Sequence, residues 1–150
     1  MTVSFLVLDA SVLVRLLLAD SERAPAVQRY REWKAQGLEL ALPSLALYES
    51  ANALYRYARS GEMTLGEAQT LWRQALRLGF RYFQEPWIHT RALELGHELG
   101  LGAAYDAHYL ALAEGLAAPF WTADRRLYQK ALEGQAKGLL PGVSLHLLGP

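Results

Sequence analysis

Along the chain, short and almost wholly apolar runs alternate with longer stretches in which apolar residues recur every three or four positions. Val3-Ser4-Phe5-Leu6-Val7-Leu8 is the first such run, rich in β-favouring residues, as expected of a strand buried on both faces of a parallel sheet. Strands are likewise predicted at Leu38 to Leu42, Phe80 to Gln84, Pro119 to Thr122 and Val143 to Leu148. The intervening stretches predict helices from Ser11 to Leu18, Ala24 to Gln36, Ser44 to Arg59 and Thr64 to about Leu78. Three more are predicted, one opening at Pro86, one from Tyr105 to Leu116 and one from Asp124 to about Glu133. In the third helix Leu47, Ala51, Leu54 and Ala58 recur on one side, and this is the predicted buried face.

Local chemistry supports several of these boundaries. Thr64 followed by Glu67 has the capping-box arrangement, in which a hydroxyl and a carboxylate satisfy free backbone N–H groups. Gly37 and Ser60-Gly61 stand where helices should stop. Strands and helices that alternate in this way predict an α/β fold, an open parallel sheet covered by helices on both faces and joined by right-handed crossovers. Ligands in such folds sit at the carboxyl ends of the strands, where strand order reverses.

Composition narrows the function. The 150 residues are 52% hydrophobic and 20% charged and contain no linker, low-complexity tract or repeat, so residues 1–150 are expected to form one domain. Fifteen basic and fifteen acidic residues cancel, which removes any long-range positive field and leaves nucleic-acid binding to local patches. Lysine occurs only at Lys34, Lys130 and Lys137, and the remaining basic residues are Arg, the better bidentate partner for phosphate. The absence of cysteine excludes disulfides, thiolate nucleophiles and thiolate metal sites. The apolar stretch from Val3 to Leu18 is broken by Asp9 and Arg15 and is too short to span a bilayer, so a soluble cytoplasmic protein is expected, with no membrane partner.

Only four aspartates occur, and Asp9 and Asp124 stand just beyond predicted strands, where the cleft of such a sheet lies. Asp106 stands near the start of the most apolar helix, where the backbone dipole favours a carboxylate. Glu49 lies within the third helix, one residue from its predicted apolar side. Each has a plainer reading: Asp9 and Asp124 as helix N-caps, Glu49 as a solvated helix residue. Asp106, in Ala103-Ala104-Tyr105-Asp106-Ala107, has few polar neighbours to occupy it.

These residues carry a family resemblance. Leu8-Asp9-Ala10-Ser11-Val12-Leu13, Tyr48-Glu49-Ser50-Ala51-Asn52-Ala53-Leu54, Tyr105-Asp106-Ala107-His108-Tyr109-Leu110-Ala111-Leu112-Ala113 and Trp121-Thr122-Ala123-Asp124-Arg125-Arg126-Leu127 resemble the four ordered motifs of PIN domains, most closely the VapC toxins. The resemblance implies a three-layer α/β/α domain with a five-stranded parallel sheet of order 3-2-1-4-5. It further implies a Mg²⁺- or Mn²⁺-dependent endoribonuclease, the toxin of a toxin–antitoxin pair, restrained by a small antitoxin protein and forming a homodimer. By motif, Asp9, Asp106 and Asp124 would be metal ligands and Glu49 would complete the catalytic acids, with Ser11, Asn52 and Thr122 in support.

Electrostatics fits that implication. Two unit charges about 4 Å apart repel by roughly 4 kcal/mol at an effective dielectric of 20, so clustered carboxylates need protons or a cation. All-oxygen ligation suits Mg²⁺ or Mn²⁺ with several retained waters, and such an ion can activate water and stabilise charge developing on a phosphodiester. One departure stands out: Arg125 and Arg126 follow Asp124 where PIN-like proteins often carry a further acid. They are candidate substrate-binding residues, with Lys130 further along the same helix, and would place guanidinium groups beside a scissile phosphate.

Other motifs lead nowhere. His97-Glu98-Leu99-Gly100-Leu101 lacks the second histidine of a zincin helix, and Gly100-Leu101-Gly102 follows a predicted helix rather than a strand, unlike a dinucleotide fingerprint. His108, two positions from Asp106, belongs on a different helix face and reads as structural. Leu65, Leu71, Trp72 and Leu76 form a candidate dimer surface. Two competing functions are a noncatalytic PIN-like module that binds RNA or protein, and a different Mg²⁺-dependent phosphatase of the haloacid-dehalogenase type. The latter calls for a second aspartate two positions after the first, where this chain has Ser11.

Overall fold

The computed structural model describes residues 2–150. Strand β1 (Phe5–Leu8) is followed by helices α1 (Ala10–Leu18) and α2 (Pro25–Ala35), and β2 (Glu39–Pro43) by α3 (Leu45–Arg59) and α4 (Leu65–Leu76). Then come β3 (Arg81–Phe83), α5 (Pro86–Glu98), α6 (Tyr105–Leu116), β4 (Phe120–Thr122), α7 (Arg125–Ala136) and β5 (Leu145–Leu147). All strand pairs are parallel, in the order β3-β2-β1-β4-β5. The predicted α/β/α architecture and strand order are therefore those observed.

Leu6, Val7 and Leu8 of β1 are buried, as are Leu40, Ala41 and Leu42 of β2, so the two central strands are covered on both faces. Successive crossovers carry the chain outward from β1 to β2 and β3, then back across β1 to β4 and β5. With right-handed crossovers this puts α1 to α4 on one face and α5 to α7 on the other. The reversal falls between β1 and β4, where Val7 pairs with Phe120 and Leu8 with Trp121. The segments leaving these two strands begin at Asp9 and Ala123, which places the predicted cleft.

Several helix ends are set as their sequences suggest. The Thr64 hydroxyl accepts from the Glu67 N–H at 3.1 Å and the Glu67 carboxylate accepts from the Thr64 N–H at 3.3 Å, an arrangement worth about 1 kcal/mol to α4. On the other face α5 lies close against α6, where a β-carbon at Gly115 would stand 2.4 Å from ring carbons of Trp87. At the far edge Trp121 packs edge-on against Trp33 of α2 and stacks on His146 of β5, tying that helix to the outermost strand.

Strand bounds shift, β3 and β5 each covering three residues where five and six are predicted, and so does one helix face. Val3 and Ser4 are exposed and precede the pairing, so β1 starts at Phe5. On α3 the buried residues are Ala46, Ser50 and Leu54, while Ala51 is exposed. Alanine buries little apolar area, so it marks a helix face weakly, and a serine in the stripe conceals it further.

Candidate active site

The site is organised around a single hydroxyl-bonded carboxylate. Asp9 leaves β1 in extended conformation and caps α1, its Oδ1 accepting from the Val12 N–H at 3.2 Å and from the Ser11 hydroxyl. Its Oδ2 accepts from the Thr122 hydroxyl at the end of β4. That threonine oxygen in turn accepts from the Asp124 N–H at 2.9 Å, and the Ser11 oxygen from the Ala123 N–H at 2.8 Å. Ser11 and Thr122 thus sew the carboxyl ends of β1 and β4 together through Asp9. The N-cap reading of Asp9 holds.

Asp9 is only 4% exposed. Burial pushes its carboxyl up to about 6, against the downward pull of the bonds from Ser11, Thr122 and Val12, and the charge of Asp106 adds to the rise. Asp106, in the first turn of α6, is also raised, first by burial and then by repulsion from Glu49 and Asp124. The four acids on four separate elements therefore share one electrostatic neighbourhood.

Glu49, Asp106 and Asp124 line a cleft of about 460 Å³, with Asp9 buried outside its lining. Asp124 also caps α7, its Oδ1 accepting from the N–H groups of Arg126 at 2.9 Å and Leu127 at 3.2 Å. Arg126 and Lys130 join the same lining, whereas the exposed Arg125 does not. Asn52 is exposed one turn beyond Glu49, and its side chain makes no hydrogen bond among the described residues.

Two contributors go beyond the site residues that the sequence motifs single out. Tyr109 of α6 is buried and its hydroxyl donates to Glu49 Oε1 at 2.5 Å, joining helices from opposite faces of the sheet. Burial, then the Glu49 carboxylate, pushes the phenol far above its ordinary range, so it stays protonated and remains a donor. Its position three residues after Asp106, on the same side of a helix, was the available signal. The second is the 100–103 loop, Gly100-Leu101-Gly102-Ala103, which lines the cleft together with α7 residues. No nucleotide motif is needed to explain those glycines.

The donor set is entirely oxygen. Among the described residues no three carboxylates or imidazoles stand close enough together to enclose an ion, so one held here would keep several waters. Mg²⁺ and Mn²⁺ tolerate such half-open carboxylate ligation, and a closed zinc cage is a different arrangement. It is the oxygen chemistry of these donors, not a preformed cage, that matches a hard divalent cation.

Comparison with known proteins agrees with this geometry. The PIN domain family model matches residues 6–133. Ribonuclease VapC3 of Pyrobaculum aerophilum is 35% identical over 129 residues, covering 83% of this chain and 93% of the relative. Exonuclease VapC9 of the same organism is 32% identical over 130 residues, covering 87% of each. The crystal structure of PAE2754 from Pyrobaculum aerophilum superposes with TM-score 0.65 at 30% identity, covering 87% of each chain. A toxin–antitoxin complex from Klebsiella pneumoniae shares the fold with TM-score 0.63 at 21% identity, covering 92% of this chain and 94% of that one. With its sheet order, its four acids and these relatives, the chain belongs to the PIN domain family, among its VapC-type members.

Proposed function

We propose that this chain is a metal-dependent endoribonuclease that hydrolyses RNA phosphodiester bonds and serves as the toxin of a toxin–antitoxin pair. The observation that carries the proposal is the cleft itself, which Glu49, Asp106 and Asp124 line together with Arg126 and Lys130, with Asp9 buried beside them. Acids and cations lining one cleft suit a phosphodiester, whose oxygens need both a cation and fixed donors.

Asp9, Asp106 and Asp124 are the residues that would hold Mg²⁺ or Mn²⁺, and the ion would supply a water of lowered pKa and charge neutralisation at the phosphate. Ser11 and Thr122 hold the Asp9 carboxylate in place. Tyr109 occupies one oxygen of Glu49 and so turns the other toward its surroundings. Arg126 and Lys130 are placed to grip the substrate backbone by charge. No side chain is required as a nucleophile.

The names of the relatives divide between ribonuclease and exonuclease, so the decisive experiment uses a circular RNA beside a linear one of the same sequence. Cleavage of the circle with Mg²⁺ or Mn²⁺, lost with chelator and in Asp9→Asn and Asp106→Asn, is the expected result. Cleavage of the linear RNA alone makes the enzyme an exonuclease, and equal cleavage by wild type and both variants overturns the assignment. The ion should also raise the melting temperature by binding the folded cluster, which a thermal scan in millimolar Mg²⁺ or Mn²⁺ reads directly.

A small antitoxin and a second copy of the chain are the partners that follow from this reading. Leu65 and Leu76, 63% and 56% exposed on α4, are available for a homodimer, whereas Leu71 and Trp72 are partly buried against the core. Among the described residues no helix is long and apolar enough to cross a membrane, and a cytoplasmic location belongs to the same proposal.

A further inference from the structure

Asp106 and Tyr109 serve the acidic cleft, but α6 also bears His108, which faces a different neighbour. His108 Nδ1–H donates to the Ala104 carbonyl at 2.7 Å, because a carbonyl can only accept. That bond fixes the tautomer of the neutral ring and leaves a lone pair on Nε2. The lone pair meets Nδ1 of His89, in the first turn of α5, at 2.9 Å, with the rings edge to face at 4.9 Å between centroids. A metal-binding histidine is commonly oriented by just such a bond from its other nitrogen to a carbonyl.

We propose that His89 and His108 form a second cation site, with nitrogen donors, that takes a borderline first-row transition ion such as Zn²⁺, Cu²⁺ or Ni²⁺. The two nitrogens need something between them, either one proton or one cation. With His89 in the tautomer protonated on Nε2, both facing nitrogens present lone pairs and the ion replaces the shared proton without net proton loss. Ligand nitrogens about 2.0–2.1 Å from a tetrahedral ion stand roughly 3.3 Å apart, so the pair must open by about 0.4 Å while the His89 ring turns its lone pair toward the shared ion. His89 is exposed and can make that movement.

The surroundings leave room for an ion. A recess of about 40 Å³ adjoins the pair, room for roughly one water alongside the ion. Ser44 and Gln84 border it, and the Ser44 hydroxyl lies 3.4 Å from the Gln84 amide oxygen, so oxygen donors are at hand for further positions. Imidazole favours zinc, copper and nickel, whereas the all-carboxylate cleft favours magnesium and manganese, so the two sites sort ions by softness. An ion here would join the first turns of α5 and α6, and α6 carries Asp106 into the cleft from that same turn.

The test uses the full chain without a histidine tag, in excess Mg²⁺ so that carboxylates are occupied. One equivalent of Cu²⁺ should give an electron paramagnetic resonance spectrum with coupling to two nitrogens. His89→Ala, at an exposed position, should abolish the two-nitrogen pattern and weaken Zn²⁺ binding in calorimetry at least about 10-fold, the lower limit for removing even a supporting partner of a metal site. His108→Gln, with folding checked by circular dichroism, should do the same. A spectrum without two-nitrogen coupling, or unchanged Zn²⁺ affinity in His89→Ala, overturns the proposal. So does a signal that instead disappears in His97→Ala or His146→Ala.

Discussion

The floor of the acidic site and its rim are built on different principles. On the floor Asp9 is buried, held by Ser11, Thr122 and a backbone N–H, and its charge is disfavoured by burial. On the rim Asp124, Arg126 and Lys130 belong to one helix that borders an open cleft, where water screens each charge. The difference teaches where substitutions should matter: the floor is a rigid, charge-storing element that a cation must relieve, while the rim tunes how a substrate is gripped.

The most severe way to break the comparison is to neutralise the floor. Asp9→Asn and Asp106→Asn should each lower RNA cleavage by about a thousandfold or more, close to 4 kcal/mol of transition-state stabilisation, with circular dichroism unchanged. Single-turnover kinetics on the circular RNA measures this. A comparable loss in Arg126→Ala would mean that floor and rim are not distinct.

Next in size is the effect of pH on the metal-free protein. The Asp9 carboxyl is raised from 3.8 to about 6 in the fold, so the folded state keeps a proton that the unfolded state has released. Unfolding free energy should therefore fall as pH rises from about 4 through about 6 and level off above, by roughly 3 kcal/mol from this group. Asp106, raised in the same direction, adds to the slope. Urea titrations across this range should show the fall, Asp9→Asn should flatten it, and Mg²⁺ at neutral pH should restore stability.

Smaller effects sharpen the boundary. Thr122→Val keeps the shape but removes the bond to Asp9 and leaves the Asp124 N–H without its partner, a cost of about 1–3 kcal/mol in stability. Tyr109→Phe frees Glu49 and should lower kcat about 10-fold, roughly 1.4 kcal/mol, with little change in KM for RNA. At the rim, Arg126→Ala with Lys130→Ala should raise KM by about three- to tenfold and flatten its dependence on salt, because a cation that no longer neutralises a phosphate no longer releases counterions. Arg125→Ala, outside the cleft lining, should change either constant less than about twofold, the scale of a screened surface charge.

Much of this architecture is legible in the chain itself, for reasons tied to particular segments. The continuous apolar runs at Phe5 to Leu8 and Leu40 to Leu42 can be satisfied only by strands covered on both sides. Thr64 and Glu67 announce a helix start because their chemistry is complete within four residues. The four acids are legible through motif order, and Ser11 and Thr122 through their places beside Asp9 and Asp124. The buried face of α3 is not, because Ala51 and Ser50 are nearly equal in size and neither declares which side packs.

The sequence by itself determined what is local: the alternation of strands and helices, the caps, and the chemical identity of the acids. Only the tertiary structure decided which side chains meet. Glu49 and Tyr109 lie on helices from opposite faces of the sheet, and His89 and His108 meet only because α5 packs closely on α6. Arg126 reaches the cleft and Arg125 does not, since adjacent helical residues diverge by about 100° and the orientation of α7 on the sheet selects one of them. Periodicity constrains neighbours a few residues apart, whereas pairings across 19 or 60 positions depend on how helices settle against a shared sheet.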